Sequence, residues 1–209
     1  IVMSINVKRI ECAPIGENTY VVKDDATGLC AVIDPGCHND SIDYFIGGEN
    51  KLSYIILTHA HWDHIIALNE YKSNYPNAKL IVNFDEHEMI TDSSINGTKQ
   101  HTNEDIALEA DIYIADNEEL MLGNTTLKFI TTPGHTKGGM CILADGNLFS
   151  GDTLFFKSVG RTDLYGGNWG HLKESIQNKL FKLDGKTIVY PGHGPSTTIE
   201  LEMRENPFV

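Results

Sequence analysis

The chain has 209 residues, 41% of them hydrophobic and 22% charged, with a formal net charge of -13. Those proportions fit a folded chain with a sizeable core, organised as one domain over residues 1–209. Sixteen Lys and Arg stand against 29 Asp and Glu with no basic run, which excludes long nucleic acid and anionic membrane surfaces as expected partners. No stretch reaches transmembrane length, and no charged-then-apolar leader is visible. Met3 reads as the natural start, so a cytoplasmic protein is expected. Cys12, Cys30, Cys37 and Cys141 form no C-x-x-C pair, and free thiols in a reducing compartment are their simplest reading.

In chain order, residues 2–10 (Val2, Ile5, Val7, Ile10) predict a first strand. Tyr20-Val21-Val22 and Cys30-Ala31-Val32-Ile33 predict two more, separated by the turn residues Asp24 to Gly28. Asp34-Pro35-Gly36 stops the third strand and leaves Asp34 at its end, either as a turn carboxylate or as a partner orienting a metal ligand. A helix is predicted from Asp40 to Phe45, ended by Gly47-Gly48. The apolar run Tyr54-Ile55-Ile56-Leu57 then leads into Thr58-His59-Ala60-His61-Trp62-Asp63-His64. Leu80-Ile81-Val82 reads as a short strand and Asp85 to Thr91 as helix. The polar stretch from Asp92 to Asp105 reads as a mobile loop or lid.

Beyond it the pattern is strands and turns: Ile112–Ile114, Leu120–Leu122, Leu127–Ile130, Met140–Leu143 and Leu148–Phe149. Leu172 to Leu183 has helical spacing. Thr187 to Tyr190 is a last buried strand, and a short helical tail follows Pro195. This order predicts an α/β (α+β) chain with two packed sheets and helices outside.

Four strong metal-ligand side chains fall between His59 and His64. Side chains alternate along an extended chain, so His59 and His61 can project to one side. Asp63 and His64 stand where an amphipathic run begins (Ile65, Ile66, Leu68, Tyr71), so a helix should start there, and Asp suits its N-terminal end. Two imidazoles, a carboxylate and a third imidazole on a strand-to-helix turn make half of a site for divalent cations. Three further strand ends deliver a His or an Asp into a Gly-flanked turn: Pro133-Gly134-His135-Thr136, Ser150-Gly151-Asp152-Thr153 and Pro191-Gly192-His193-Gly194. Glycine lets the backbone turn sharply and come close to a ligand.

With these residues assembled, the sequence resembles the metallo-β-lactamase superfamily over essentially its whole length. The H-x-H-x-D-H motif stands as His59, His61, Asp63 and His64, followed in order by His135, Asp152 and His193. The resemblance implies an αββα four-layer sandwich with a dinuclear site at one edge. It implies that His59, His61 and His135 hold one divalent ion, that Asp63, His64 and His193 hold the other, and that Asp152 bridges them. Zinc is the first choice, with iron or manganese as alternatives. Two divalent ions outweigh Asp63, Asp152 and one bridging hydroxide by a single unit of charge. The expected mechanism is attack by that metal-bridging hydroxide, with Asp63 and Asp152 as the catalytic carboxylates.

Within the superfamily, Ser150 to Phe155 and the His61-Trp62-Asp63-His64 form of the motif look like the glyoxalase II thiolesterases. Val159-Gly160-Arg161-Thr162-Asp163-Leu164 and Glu205-Asn206-Pro207-Phe208 resemble the short bacterial members related to that group. The C-terminal helical domain that helps glyoxalase II hold glutathione has no counterpart in the residues after His193. The family's glutathione-binding Lys appears as Arg161, while Asp163 and Pro195 replace an aromatic residue and a Tyr. The expected substrate is a small, anionic acyl-thiol, with Arg161 set either to bind its carboxylate or to pair with Asp163, and with Tyr165 and Trp62 candidates to line the pocket.

A persulfide dioxygenase is the nearest rival, because it shares the Gly-Arg-Thr-Asp segment. It would use one iron on His59, His135 and Asp152. Another ester or lactone remains a further alternative substrate. A nuclease is disfavoured by the net charge, and a pure binding protein would not need two open-coordination metals.

Overall fold

The computed structural model describes residues 4–209. Val2, read into the first strand, and Met3, read as the start, lie outside the described residues. The first half runs β1 (Ile5–Cys12), β2 (Glu17–Asp24), β3 (Cys30–Ile33), α1 (Asp40–Ile46), β4 (Leu52–Ile56), α2 (Trp62–Ile65), α3 (Leu68–Asn74), β5 (Lys79–Asn83), α4 (His87–Ile90), α5 (Ser93–Asn96), α6 (Thr98–His101) and β6 (Ile112–Ile114). Its six strands form one sheet in sequence order. The second half runs β7 (Glu119–Leu122), β8 (Thr125–Thr131), β9 (Met140–Ala144), β10 (Asn147–Gly151), β11 (Leu154–Phe155), β12 (Ser158–Val159), α7 (Trp169–Asn178), β13 (Ile188–Pro191), β14 (Thr197–Thr198) and α8 (Ile199–Glu205). Its main sheet has the order β14-β13-β10-β9-β8-β7, and β11 and β12 form a small hairpin beside it.

Strand alternation sorts the apolar residues into three layers. Tyr20, Val22, Ala31, Ile33, Ile56 and Ile81 of the first sheet pack with Leu127, Phe129, Ile142 and Phe149 of the second. Their sequence neighbours Val21, Val32, Ile55, Leu80 and Val82 point the other way, onto Ile42 and Ile46 of α1 and Leu68 and Tyr71 of α3. On the far side of the second sheet, Cys141, Leu148 and Val189 pack with Leu172 and Ile176 of α7 and Ile199 of α8. The result is the four-layer α/β sandwich expected from the sequence. Among the described residues, no helix is long and apolar enough to cross a membrane.

Local chemistry sets most boundaries. Asn39 caps α1 by accepting the Ser41 and Ile42 N–H groups, and Gly47 ends that helix with φ 85°. The helix expected from Asp63 is split, with Ile66 and Ala67 separating α2 from α3.

Two expectations need correction. The stretch from Asp92 to Asp105, read as a mobile loop or lid, is not all loop: it contains α5 and α6. Asp92 caps α5 through the Ser94 and Ile95 N–H groups, and the buried Asn96 side chain donates to the Met89 and Ile106 carbonyls. Short polar side chains bonding to backbone are what a composition-based reading takes for loop. Nor are all four cysteines free. Cys12 and Cys37 form a disulfide, with Cα atoms 5.6 Å apart, whereas Cys30 and Cys141 are free and buried. The pairing of β1 with β2 and of β2 with β3 brings the end of β1 beside the loop after β3, a proximity that spacing alone does not reveal.

Candidate metal centre

Strands β3, β4 and β5 run parallel, so their C-terminal ends share one sheet edge. Asp34 follows β3, and the His59–His64 stretch follows β4. In the second sheet β10 and β13 are also parallel, placing Asp152 and His193 beyond their ends. His135 comes from the turn after β8. The structure brings all seven expected ligand side chains together where these strand ends meet.

Ligand atoms of His59, His61 and His135 lie within 4.8 Å of one another, as do those of Asp63, His64 and His193. Asp152 stands between the two groups. One of its oxygens is 3.4 Å from His64 Nε2, and the other is 3.5 Å from His135 Nε2 and 3.7 Å from His193 Nε2. Asp63 Oδ2 is 3.2 Å from His193 Nε2 and 3.4 Å from His64 Nε2.

Hydrogen bonds on the outer side of the rings decide which nitrogens face inward. His135 Nδ1–H donates to the Arg161 carbonyl at 2.7 Å, leaving the Nε2 lone pair for the site. Asp34 accepts from the Thr58 N–H (2.7 Å), the Thr58 hydroxyl (2.6 Å) and His64 Nδ1–H (2.9 Å). Because the Thr58 proton goes to Asp34, Thr58 Oγ1 accepts from His59 Nδ1–H at 3.0 Å. His59 and His64 therefore also present Nε2. Asp34 can join a third ligand group with His59 and His64. Its oxygens are already occupied by three donors, so orienting His64 is the role its geometry fits.

Buried atoms left without any hydrogen-bond partner include His59 Nε2, His64 Nε2 and Asp152 Oδ1. Buried polar groups are normally satisfied, and these three all belong to the cluster, with Asp152 Oδ1 3.4 Å from His64 Nε2. His61 Nδ1 lies 2.9 Å from His135 Nε2. Imidazole lone pairs and carboxylate oxygens converging without donors are the complement of a divalent cation, so the residues fit the metal site the sequence implies.

Electrostatics divide the cluster. Burial drives His59 well below the usual imidazole pKa, and His64 and His135 add to the effect. Burial and then His135 bring His61 down to about 3. At His64 burial is overcome by Asp63, Asp152 and Asp34, which raise it well above the ordinary value. Burial is likewise overcome at Asp152, which His64 and His135 hold low and ionised. A cation and a proton on His64 thus compete for the same charge environment.

His61, Asp63, His135, Asp152 and His193 line a cavity of about 680 Å³ whose walls include Trp62, Phe155, Leu164 and Tyr165, with His59 and His64 buried behind them. Trp62 stacks on His101, with ring centroids 5.0 Å apart. Arg161 also lines it, but its guanidinium is held by both Asp163 oxygens at 2.7 and 2.8 Å.

A family model described as the metallo-beta-lactamase superfamily matches residues 13–193. The chain belongs to that superfamily. It is 37% identical over 208 residues to the probable metallo-hydrolase YqgX of Bacillus subtilis, covering 97% of this chain and 96% of that one. It is 30% identical over 211 residues to the hydroxyacylglutathione hydrolase GloC of Haemophilus influenzae, covering 98% of each. Among solved structures it is similar to the BLEG-1 B3 metallo-beta-lactamase, with TM-score 0.87, 36% identity, and 97% of this chain and 99% of that one covered. ETHE1 from Myxococcus xanthus gives TM-score 0.78 and 27% identity, covering 97% and 83%. TTHA1623 in a di-iron-bound form gives 0.82 and 28%, covering 97% and 100%. The superfamily and these relatives make the chain a metal-dependent hydrolase.

Three buried residues at the site escaped the sequence reading. Thr58 relays Asp34 to His59. Glu17 is buried with Oε1 unpartnered, 3.7 Å from His64 Nδ1, and burial raises its carboxyl well above the usual range. Glu86 is the third. Its signal was an acidic residue just after β5, the parallel neighbour of the metal-bearing strand, whose end must point to the same edge.

Proposed function

We propose that this protein is a glyoxalase II-like thiolesterase that hydrolyses a small acyl-thiol. Two divalent ions would be held by His59, His61 and His135 and by Asp63, His64 and His193, with Asp152 shared. The observation that carries the reading is the convergence of these seven side chains, five of which (His61, Asp63, His135, Asp152 and His193) line one open cavity. When bound, such ions make water nucleophilic near neutral pH and polarise a carbonyl. The chain contributes orientation: Asp34, Thr58 and the Arg161 carbonyl fix His64, His59 and His135 with Nε2 inward. Asp63 and Asp152 are the catalytic carboxylates in this reading, kept ionised by the surrounding imidazoles and so able to hold the ions and orient an attacking water. A thiol pKa of about 8.5 lets the leaving group depart as thiolate without a dedicated acid.

Similarity over 98% of each chain to the hydroxyacylglutathione hydrolase GloC is the comparison that motivates the thiolester reading. The substrate we infer is anionic: Arg161 at the cavity can exchange Asp163 for a substrate carboxylate, one bidentate pair for another. Zinc, iron and manganese all accept this ligand set, and the di-iron form of TTHA1623 supports iron alongside zinc.

The test is thiol release from lactoyl-glutathione, and from other acyl-thiols, by protein loaded with each metal. Activity that disappears in Asp152→Ala supports the proposal. No release from protein carrying two ions per chain refutes it, and turnover of a β-lactam instead would redirect it. The second reading is a persulfide dioxygenase with one iron on His59, His135 and Asp152, to which the likeness to ETHE1 lends weight. Oxygen uptake with a persulfide, at one iron per chain, separates the two.

A further inference from the structure

Glu86 stands outside the ligand set, yet its carboxylate touches both loops that supply the first ligand group. It ends the single turn Phe84–Glu86 after β5 and is 1% exposed. Oε1 accepts the Ala60 N–H at 2.9 Å. Oε2 accepts the Gly138 N–H and the Thr136 hydroxyl, each at 2.9 Å. Ala60 lies between His59 and His61, and Thr136 follows His135. The two loops extend from different sheets, one from β4 and the other from between β8 and β9. A second tie, from the Met140 N–H to the Thr58 carbonyl at 2.9 Å, joins the same two segments.

We propose that Glu86 is a positioning residue that clamps the His59–His61 loop to the His135 loop and so sets the affinity of that ligand group for its metal. This rests on the reading of the cluster as a metal site. All three partners donate here, so the carboxylate suits the position: a protonated carboxyl could find an acceptor only by turning the Thr136 hydroxyl round, and an amide would set its NH₂ against an N–H. Burial nevertheless pushes Glu86 up to about 7, against the pull of Ala60, Thr136 and Gly138. Gly138 is part of the device, because a Cβ there would lie 2.2 Å from the Glu86 nitrogen and 2.7 Å from Oε2. The clamp acts on His59, His61 and His135 but on none of Asp63, His64 and His193, which makes its effect selective.

The experiment titrates metal-free wild type, Glu86→Gln and Thr136→Val with zinc against a chromophoric chelator, and repeats the titration with cobalt to read each site's absorption. Wild type should bind two ions. Glu86→Gln should keep one at wild-type affinity and hold the other 10- to 100-fold more weakly, the range expected when a partner behind a ligand is lost. Thr136→Val removes one of the three bonds while keeping shape, and should weaken the same ion by less. Should Glu86→Gln fail to fold, Thr136→Val carries the test, with selective weakening of one ion as the expected result. Unchanged affinities in folded variants, or equal weakening of both ions, overturn the clamp while leaving the metal reading intact. A wild type that binds no divalent ion overturns the metal reading and the clamp together.

Discussion

Replacing Asp34 with Asn isolates the orientation of His64 from the packing around it. Asp34 is buried and accepts three hydrogen bonds, from the Thr58 N–H, the Thr58 hydroxyl and His64 Nδ1–H. Its backbone has φ 52°, a left-handed conformation that Asn tolerates as well as Asp, so the substitution adds no backbone strain. Asn can still accept the Thr58 N–H, but its NH₂ then faces Thr58 Oγ1 and His64 Nδ1. His64 must offer Nδ1 as acceptor and carry its proton on Nε2, the atom 3.4 Å from both Asp63 and Asp152. The lone pair aimed at the metal is lost. Partners of this kind are worth 10- to 100-fold in metal affinity, or about 1.4–2.7 kcal/mol at 1.36 kcal/mol per decade. Competition titration should show one ion bound as in wild type and the other, on Asp63, His64 and His193, weakened by that factor. Two ions bound by Asp34→Asn with wild-type affinity would refute the tautomer argument.

Gly151→Ala should destabilise the fold: φ is +49°, and a Cβ would sit 2.3 Å from Thr58 Oγ1 and 2.5 Å from Thr58 Cβ. Overpacking and left-handed strain together cost about 2–5 kcal/mol, a fall of about 5–15 °C in Tm by thermal unfolding, and an unchanged Tm would contradict the placement of Thr58. Asp163→Asn should free the Arg161 guanidinium and lower KM for anionic thioesters severalfold, an effect that fades as salt is added; a KM that does not move removes Arg161 from substrate binding. In metal-free protein Glu86 has a folded pKa of about 7 against an ordinary 4.5, so the native state holds a proton that the unfolded chain releases. Its contribution therefore costs nothing below pH 4.5, falls as pH rises through the window, and reaches a loss of about 3 kcal/mol above pH 7. Urea unfolding across pH 4–8 should show this slope in wild type relative to Glu86→Gln, and parallel curves would contradict it.

What the sequence exposed and what it concealed follow different rules. The seven converging side chains were legible because each sits at the end of an apolar strand in a turn marked by glycine or by other His and Asp residues. The layers were legible because alternation in runs such as Tyr20-Val21-Val22 divides residues between two cores. Glu17 was not, and Glu86 only through its place after β5, because a lone acid in a polar stretch has the same pattern whether it faces water or, as here, is 1% exposed. Their roles depend on partners far away in sequence, 50 and 52 residues on for Thr136 and Gly138. The disulfide was concealed for the same reason, since Cys12 and Cys37 meet only through the pairing of three strands. The helices α5 and α6 were read as loop because their Ser, Asn and Thr residues earn that reading wherever no tertiary partner is visible.

The same distinction bears on why the cluster is built as it is. His59 lies against three other imidazoles, with centroids 4.8 Å from His61, 4.1 Å from His64 and 4.7 Å from His135. Left to themselves, such rings would turn to hydrogen-bond one another or water, and the inward lone pairs would be lost. The outer partners limit this: Asp34, Thr58 and the Arg161 carbonyl each take a proton from Nδ1, so three rings keep Nε2 inward, although His61 Nδ1 still reaches His135 Nε2 at 2.9 Å. One proton bridges at most two of the converging acceptors. A divalent cation can accept several at once. Among the described residues the buried, unpaired acceptors gather at this edge, and in the proposed metal site the residues that enforce their direction would govern metal affinity along with the ligands themselves.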